Sequence, residues 1–256
     1  MANYGNIEQA FAGMKAEHYQ YAEVLKSGCA KQAIDFGKPV FGYIGDENNV
    51  YNYFLDTALV IFADDFDSGD ALSVTVNGNE SATVTYATSH VNTMNLLVNA
   101  VKALGYDAAY GGSNNRTLYV RSKGETITVS VTQKLGTIPN SSITYQSDQV
   151  FKGLARHKAK EITYGSTSAR YEIGDPISIV EKGFYYGVIN NVNVQAGEVC
   201  YIDNSGVGIG NFTNVTGDDI GCKFRSNKIT NAVLTDYLAV IELNGIKKIN
   251  AEIAWA

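Results

Sequence analysis

Short runs of alternating apolar and polar residues, broken by glycine every few positions, run through this chain and predict strands rather than helices. They are densest from Tyr171 to Asp203. There Ile177, Ile179 and Val180 predict one strand, and a Lys182-Gly183 turn reverses it. Phe184 to Ile189 run back, and Val199 to Ile202 follow after Gln195-Ala196-Gly197. Upstream, Ile34 to Tyr43 predict an entering strand with Pro39 at an edge or at the first position, because proline cannot donate to a ladder. Gly45 to Asn49 reads as a turn. Val150 to Ala155, Gly221 to Phe224 and Leu234 to Leu243 predict further strands, the last one closing the body.

Between residues 56 and 146 the pattern becomes self-contained. Ala58 to Phe62 is an apolar run, and Leu72, Val74 and Val76 alternate with polar neighbours up to a turn at Gly78-Asn79. Met94, Leu97, Val98, Val101 and Leu104 recur at helical spacing. Asn92 or Thr93 is the expected cap of that helix and Gly105 its close. Leu118 and Val120, then Ile127, Val129 and Val131, return to period two.

Residues 1–33 differ again. Phe11 and Met14 lie three apart in a segment, Ile7 to His18, that reads as a short helix weakened by Gly13. Met14, Tyr19, Tyr21, Val24 and Leu25 are more apolar side chains than a free tail carries. The segment is therefore expected to be an arm packed on its own body or on a neighbouring chain. The expected fold is mainly β: a small antiparallel β-barrel or sandwich body (34–55 and 147–256), an inserted α+β strand–helix–strand domain (56–146), and an N-terminal arm (1–33).

Composition narrows the partners. Of the 256 residues only 18% are charged, below the roughly 25% of an average globular chain, so the surface should be rich in Asn, Ser, Thr, Gly and Tyr. A net charge of −6 and a pI near 5.1 speak against nucleic acid, whose phosphates need clustered Lys and Arg. Lys152, Arg156, His157, Lys158 and Lys160 are the nearest thing to a basic patch, and Asp148 and Glu161 flank them. The sequence carries neither a signal-type start nor an apolar run long enough to span a membrane, so no membrane partner is expected and synthesis in a cytoplasm is. Three cysteines at wide spacing, Cys29, Cys200 and Cys222, make no metal or disulfide frame. Cys200 reads as a small buried hydrophobe.

The sequence holds no frame of catalytic or metal-binding residues. His18, His90 and His157 stand in no metal-ligand spacing. Asp65, Asp67 and Asp70 suggest a calcium loop, but Gly69 falls one place early and Val76 stands where the bidentate Glu belongs. A solvated hairpin turn is expected there. Gly206, Gly208 and Gly210 precede no helix and suit a β loop. No G-x-S-x-G elbow is present, and no two acids single themselves out for glycoside hydrolysis. No enzyme, cofactor or metal is expected. Seventeen tyrosines favour either a binding face or strand packing.

Three stretches carry a resemblance: GMKAEHYQ followed by AIDFGKPV, then VFKGLAR, then YEIGDPISIVEKGFYYGVI with VQAGEVCYID. In this order the chain resembles the structural cement, or capsid decoration, proteins of tailed bacteriophages. Phe36, Gly37 and Val40 fit the first motif, and Phe151, Gly153, Leu154 and Ala155 the second. Tyr171, Gly174, Asp175, Ile177, Ile179, Gly183 and Val188 fit the third, with Ile for Val twice. The resemblance spans residues 10–55 and 148–245, and the inserted segment departs from it.

The resemblance implies a non-enzymatic virion structural protein, made in the host cytoplasm and bound to the capsid exterior. It would bridge major capsid protein subunits, with a further copy of itself as a second partner. Phe11, Met14, Tyr19, Tyr21 and Phe36 are the expected capsid contacts. The competing reading is a carbohydrate- or cell-surface-binding β module of a phage fibre or adhesin. A hydrolase on a β scaffold is the third.

Overall fold

The computed structural model describes residues 12–16, 23–157, 170–190, 192–230 and 237–249. These fall in two compact units, one drawn from residues 1–53 and 149–249 and the other from residues 54–148.

The first unit opens with β1 (Val24–Ala30), β2 (Pro39–Tyr43) and β3 (Asp46–Tyr51). Pro39 takes the first strand position. Two segments differ from the sequence expectation. Val24–Ala30 is a strand of the body and not part of a separate arm. Asp46–Tyr51 is a strand and not a turn; the chain reverses at Ile44-Gly45, and Tyr43 faces Asp46. The first half of β3 is largely exposed, so it lacks the alternation that marks strands in sequence.

The second unit holds β4 (Thr57–Phe62), β5 (Ala71–Val76), α1 (His90–Lys102), β6 (Asp107–Gly111), β7 (Thr117–Arg121), β8 (Val129–Leu135) and β9 (Ser141–Gln146). Strands order as β9–β4–β7–β6 in one antiparallel sheet, and β8 pairs with β5 in another. Val60, Leu72, Val74, Met94, Leu97 and Val120 fill the space between the sheets and α1. Ser89 caps the helix, its side chain accepting from Asn92 N; the expected caps Asn92 and Thr93 sit inside the first turn. Thr93 Oγ1 instead accepts from Ala87 N at 3.0 Å.

The first unit resumes with β10 (Val150–Ala155), β11 (Pro176–Ile189), β12 (Val199–Ile202), β13 (Phe212–Thr213), β14 (Asp218–Phe224) and β15 (Tyr237–Asn244). The 14-residue β11 corrects the expected hairpin at Lys182-Gly183. It continues through that point as one strand and changes partners. Residues 176–182 pair with β1, and residues 182–189 pair with β15.

Strand pairing therefore closes on itself twice around β11. One circuit runs β11–β1–β3–β2–β10 and back to β11. The other runs β11–β13–β12–β14–β15 and back. Among the described residues these strands belong to one large sheet with an order of eleven, and the fold is mainly β.

Candidate functional site

The residues that carry the resemblance converge. Phe36, Val40, Ala155, Tyr171, Ile177 and Ile179 form a single buried cluster inside the first circuit, together with Ala30, Ile34 and Val50. Backbone bonds tie the motifs together: Gly37 N donates to Ala155 O at 2.9 Å, and Val188 N to Gly37 O at 3.0 Å. The buried Tyr171 hydroxyl donates to Arg156 O at 2.7 Å and accepts from Ser178 N at 3.2 Å. Gly153 has φ +139, and a Cβ there would overlap Val180 O, so β10 reaches β11 only with glycine at this place.

Across this seam lies a short strap, Ala12 to Ala16. Its described residues are a turn and a bridge, not the helix expected from the sequence. Lys15 pairs with Tyr185 of β11. Gly13 N donates to Tyr186 O at 2.6 Å, Tyr186 N to Met14 O at 2.9 Å, and Ala16 N to Phe184 O at 2.9 Å. Ala12 packs with Val188 and Leu238, and Ala16 with Phe184 and Val240. Small side chains let the strap backbone sit against Gly37 and His157, whose N donates to Gly13 O at 3.0 Å.

A charged cluster fastens the same strap. Glu23 accepts from the Tyr185 hydroxyl at 2.5 Å and from Lys15 Nζ at 3.0 Å, with Arg156 at 3.9 Å. Burial alone would raise the Glu23 carboxyl. The hydrogen bonds from Tyr185 and Lys15, with the nearby positive charges, hold it below the usual carboxylate value. Burial, then the bond to Glu23, pushes the Tyr185 phenol up. Burial lowers His157.

Of the expected contact residues, Met14 is half-buried in the strap. Phe36 is 2% exposed and meets His157 and Tyr171 edge-on. It is a core residue of this chain, because the cluster it completes leaves it no surface. Phe11, Tyr19 and Tyr21 lie outside the described residues.

Candidate chemistry resolves into structural roles. Asp70 is buried, not solvated: its carboxylate accepts from Asp67 N at 2.9 Å and Thr137 N at 3.1 Å. Asp65 pairs with Arg116 at 2.7 Å. His90 Nδ1 accepts from Phe66 N at 3.2 Å, so Nε2 carries the proton and faces Asn115 O at 3.1 Å. In the segment nearest to a basic patch, Lys152 Nζ is held by three backbone carbonyls of the β3 region, Asp46, Glu47 and Asn49, at 2.6, 3.1 and 3.3 Å. It is therefore committed to the hairpin rather than to phosphate. Burial lowers its pKa against the opposing pull of Asp46 and Glu47. No group of three or more metal-ligating side chains occurs among the described residues.

A polar cleft of about 210 Å³ opens beside Asp35, Lys38, Asn52, Tyr53 and Ile209. Its polar groups engage each other's neighbours: Lys38 Nζ donates to Asn211, and Tyr53 donates to Asp218 at 2.5 Å. Nothing in it pairs a nucleophile with a base. No protein-family model matches the chain, and no curated protein matches it either.

Proposed function

We propose that this chain is a virion structural protein that binds the outside of a phage capsid and stabilises the shell by bridging major capsid protein subunits. The observation that supports this reading most is the convergence of the three resembling motifs. Phe36 of the first, Ala155 of the second and Tyr171 of the third share one buried cluster, with Gly37 bonded to Ala155. The resemblance thus rests on residues that jointly specify a body, not on scattered turn residues. The acidic net charge of −6 suits a surface turned away from packaged DNA.

A ligand that binds only the assembled lattice stabilises that lattice by mass action. The full chain should therefore sediment with intact capsids and stay in the supernatant with unassembled coat subunits. Retention on a glycan array without binding to capsids would replace this reading with the fibre or adhesin one, and the polar cleft beside Asp35 and Asn52 would be the first place to mutate.

A further inference from the structure

Cys200 on β12 and Cys222 on β14 stand directly opposite each other. Both side chains point inward, at 0% and 1% exposure, and both are free thiols. Opposed residues of an antiparallel pair have Cα atoms about 4.5–5.5 Å apart, inside the roughly 4.4–6.8 Å that a disulfide spans. On one side the register is pinned by backbone bonds, Phe224 N to Glu198 O at 2.9 Å and Gly197 N to Phe224 O at 2.8 Å. On the other side it slips. Tyr201 pairs with Asp219, which leaves Ile220 and Gly221 as a bulge next to Cys222.

Gly221 has φ +71 and is exposed. The bulge is held by Gly221 N to Asp219 Oδ1 and by Asn244 Nδ2 to Gly221 O, each 2.7 Å. Such a bulge is where a strand can bend without unzipping the ladder. It supplies the small shift that brings Cβ atoms from a cross-strand spacing of about 4.5–5.5 Å to the roughly 3.5–4.5 Å of a disulfide.

We propose that Cys200 and Cys222 are a redox-responsive pair that closes into a cross-strand disulfide, stapling β12 to β14 when the protein meets a small-molecule disulfide oxidant. The Cys222 thiolate, beside the bulge, attacks one sulfur of the oxidant and releases the first small thiol, leaving a mixed disulfide on Cys222. The Cys200 thiolate then displaces the second small thiol and the Sγ–Sγ bond forms. Two cysteine protons are lost and the oxidant is reduced to two thiols, so atoms and electrons balance. Burial pushes the Cys222 thiol up to about 12, and it raises Cys200 as well, with Cys222 adding to that. Closure is therefore slow at neutral pH and accelerates as pH rises. Cys29 lies on β1 in the other pairing circuit and takes no part. The inference is independent of the capsid reading.

The test uses the full chain, reduced and then incubated with oxidised glutathione across a range of pH, followed by thiol counting in denaturant. Cys200 and Cys222 should be lost together as a bridge with loss of two hydrogens, while the half-buried Cys29 reads as a free thiol or as a glutathione adduct. Trypsin cannot separate the pair, because no Lys or Arg lies between residues 200 and 222, whereas Asp203, Asp218 and Asp219 do. Cleavage at aspartate should give one linked pair of peptides that reduction splits. The thermal midpoint of the oxidised chain should rise by roughly 5–10 °C, and Cys200→Ala should abolish that rise. Cys200 and Cys222 remaining as thiols after incubation just below the unfolding transition would overturn the proposal. So would a bridge that includes Cys29, or a glutathione adduct on Cys222 that never resolves.

Discussion

Three single residues hold the first unit together in different ways. Gly153 is where β10 touches the backbone of β11, and with φ +139 and Val180 O in the path of any Cβ it has no substitute. Gly153→Ala should lower stability by on the order of 3–5 kcal/mol, read from urea unfolding. Tyr171 serves both a donor and an acceptor inside the core. Tyr171→Phe keeps the packing but strips Arg156 O and Ser178 N of this hydroxyl, an expected loss of about 1–3 kcal/mol. Lys152→Met should cost a similar amount, because the carbonyls of Asp46, Glu47 and Asn49 lose the ammonium. An unchanged urea midpoint in either variant would contradict these roles. Gly153 and Tyr171 stood out in the sequence through the motifs they belong to. Lys152 stood out only as a member of a basic patch, since a lysine bonded to main-chain carbonyls leaves no pattern of that role along the chain. Phe36, an expected capsid contact, is 2% exposed, because a motif marks a residue as constrained without saying whether packing or contact constrains it.

At the level of elements, period-two alternation revealed strands that bury one face, such as β8, where Val129 and Val131 turn inward between the exposed Ser130 and Thr132. It failed where both faces are buried or both are wet. β11 is buried on both faces along most of Ile177 to Ile189 and carries an exposed Lys182 before Gly183 at its middle, so nothing in its pattern distinguishes a continuous strand from a hairpin. β9, Ser-Ser-Ile-Thr-Tyr-Gln, is exposed along most of its length, and Ile143 and Tyr145 alone are too short a period-two signal to mark a strand. The cap of α1 shifted because Ser89 lies one residue before the first helical position, where an oxygen can reach Asn92 N. Ser89→Ala should destabilise the second unit by about 1 kcal/mol.

The strap adds a pH dependence. Glu23 has a depressed value in the folded chain, so its contribution is present above the ordinary carboxylate range and is lost as pH falls through its folded value. His157, lowered by burial, acts in the same sense, losing stability as pH falls below the ordinary imidazole value. Protection of the Ala16 amide, which donates to Phe184 O, should fall as pH drops below about 6.5, where His157 begins to cost stability, and again below about 4.5, where the Glu23 contribution is lost. Glu23→Gln should remove the lower part of that titration. A flat profile for Ala16 in the unmodified chain would contradict the strap account.

On the scale of the whole molecule, the second unit is bounded by its own pairing. Thr57 faces Gln146 across β4 and β9, and Asp148 N donates to Asp56 Oδ1 at 2.8 Å. In the first unit, Gln149 Nε2 donates to Asn52 O at 2.9 Å. Both units therefore have adjacent chain ends where residues 54–148 enter and leave. Replacing these residues with a short Gly-Ser linker should leave a first unit that still unfolds cooperatively, and residues 54–148 alone should do the same. Loss of cooperativity in both pieces would show that neither holds together by itself.

The capsid reading makes its own demand on the whole molecule. A protein that cements a shell must raise the temperature at which the shell ruptures, and must do so in proportion to the sites it fills. The direct measurement titrates the purified chain onto undecorated capsids and records the DNA-release temperature against the number of copies bound. The capsid-stabilising role predicts a rise that tracks occupancy and reaches a plateau at saturation. Full occupancy with an unchanged rupture temperature, or no occupancy at all, would contradict it.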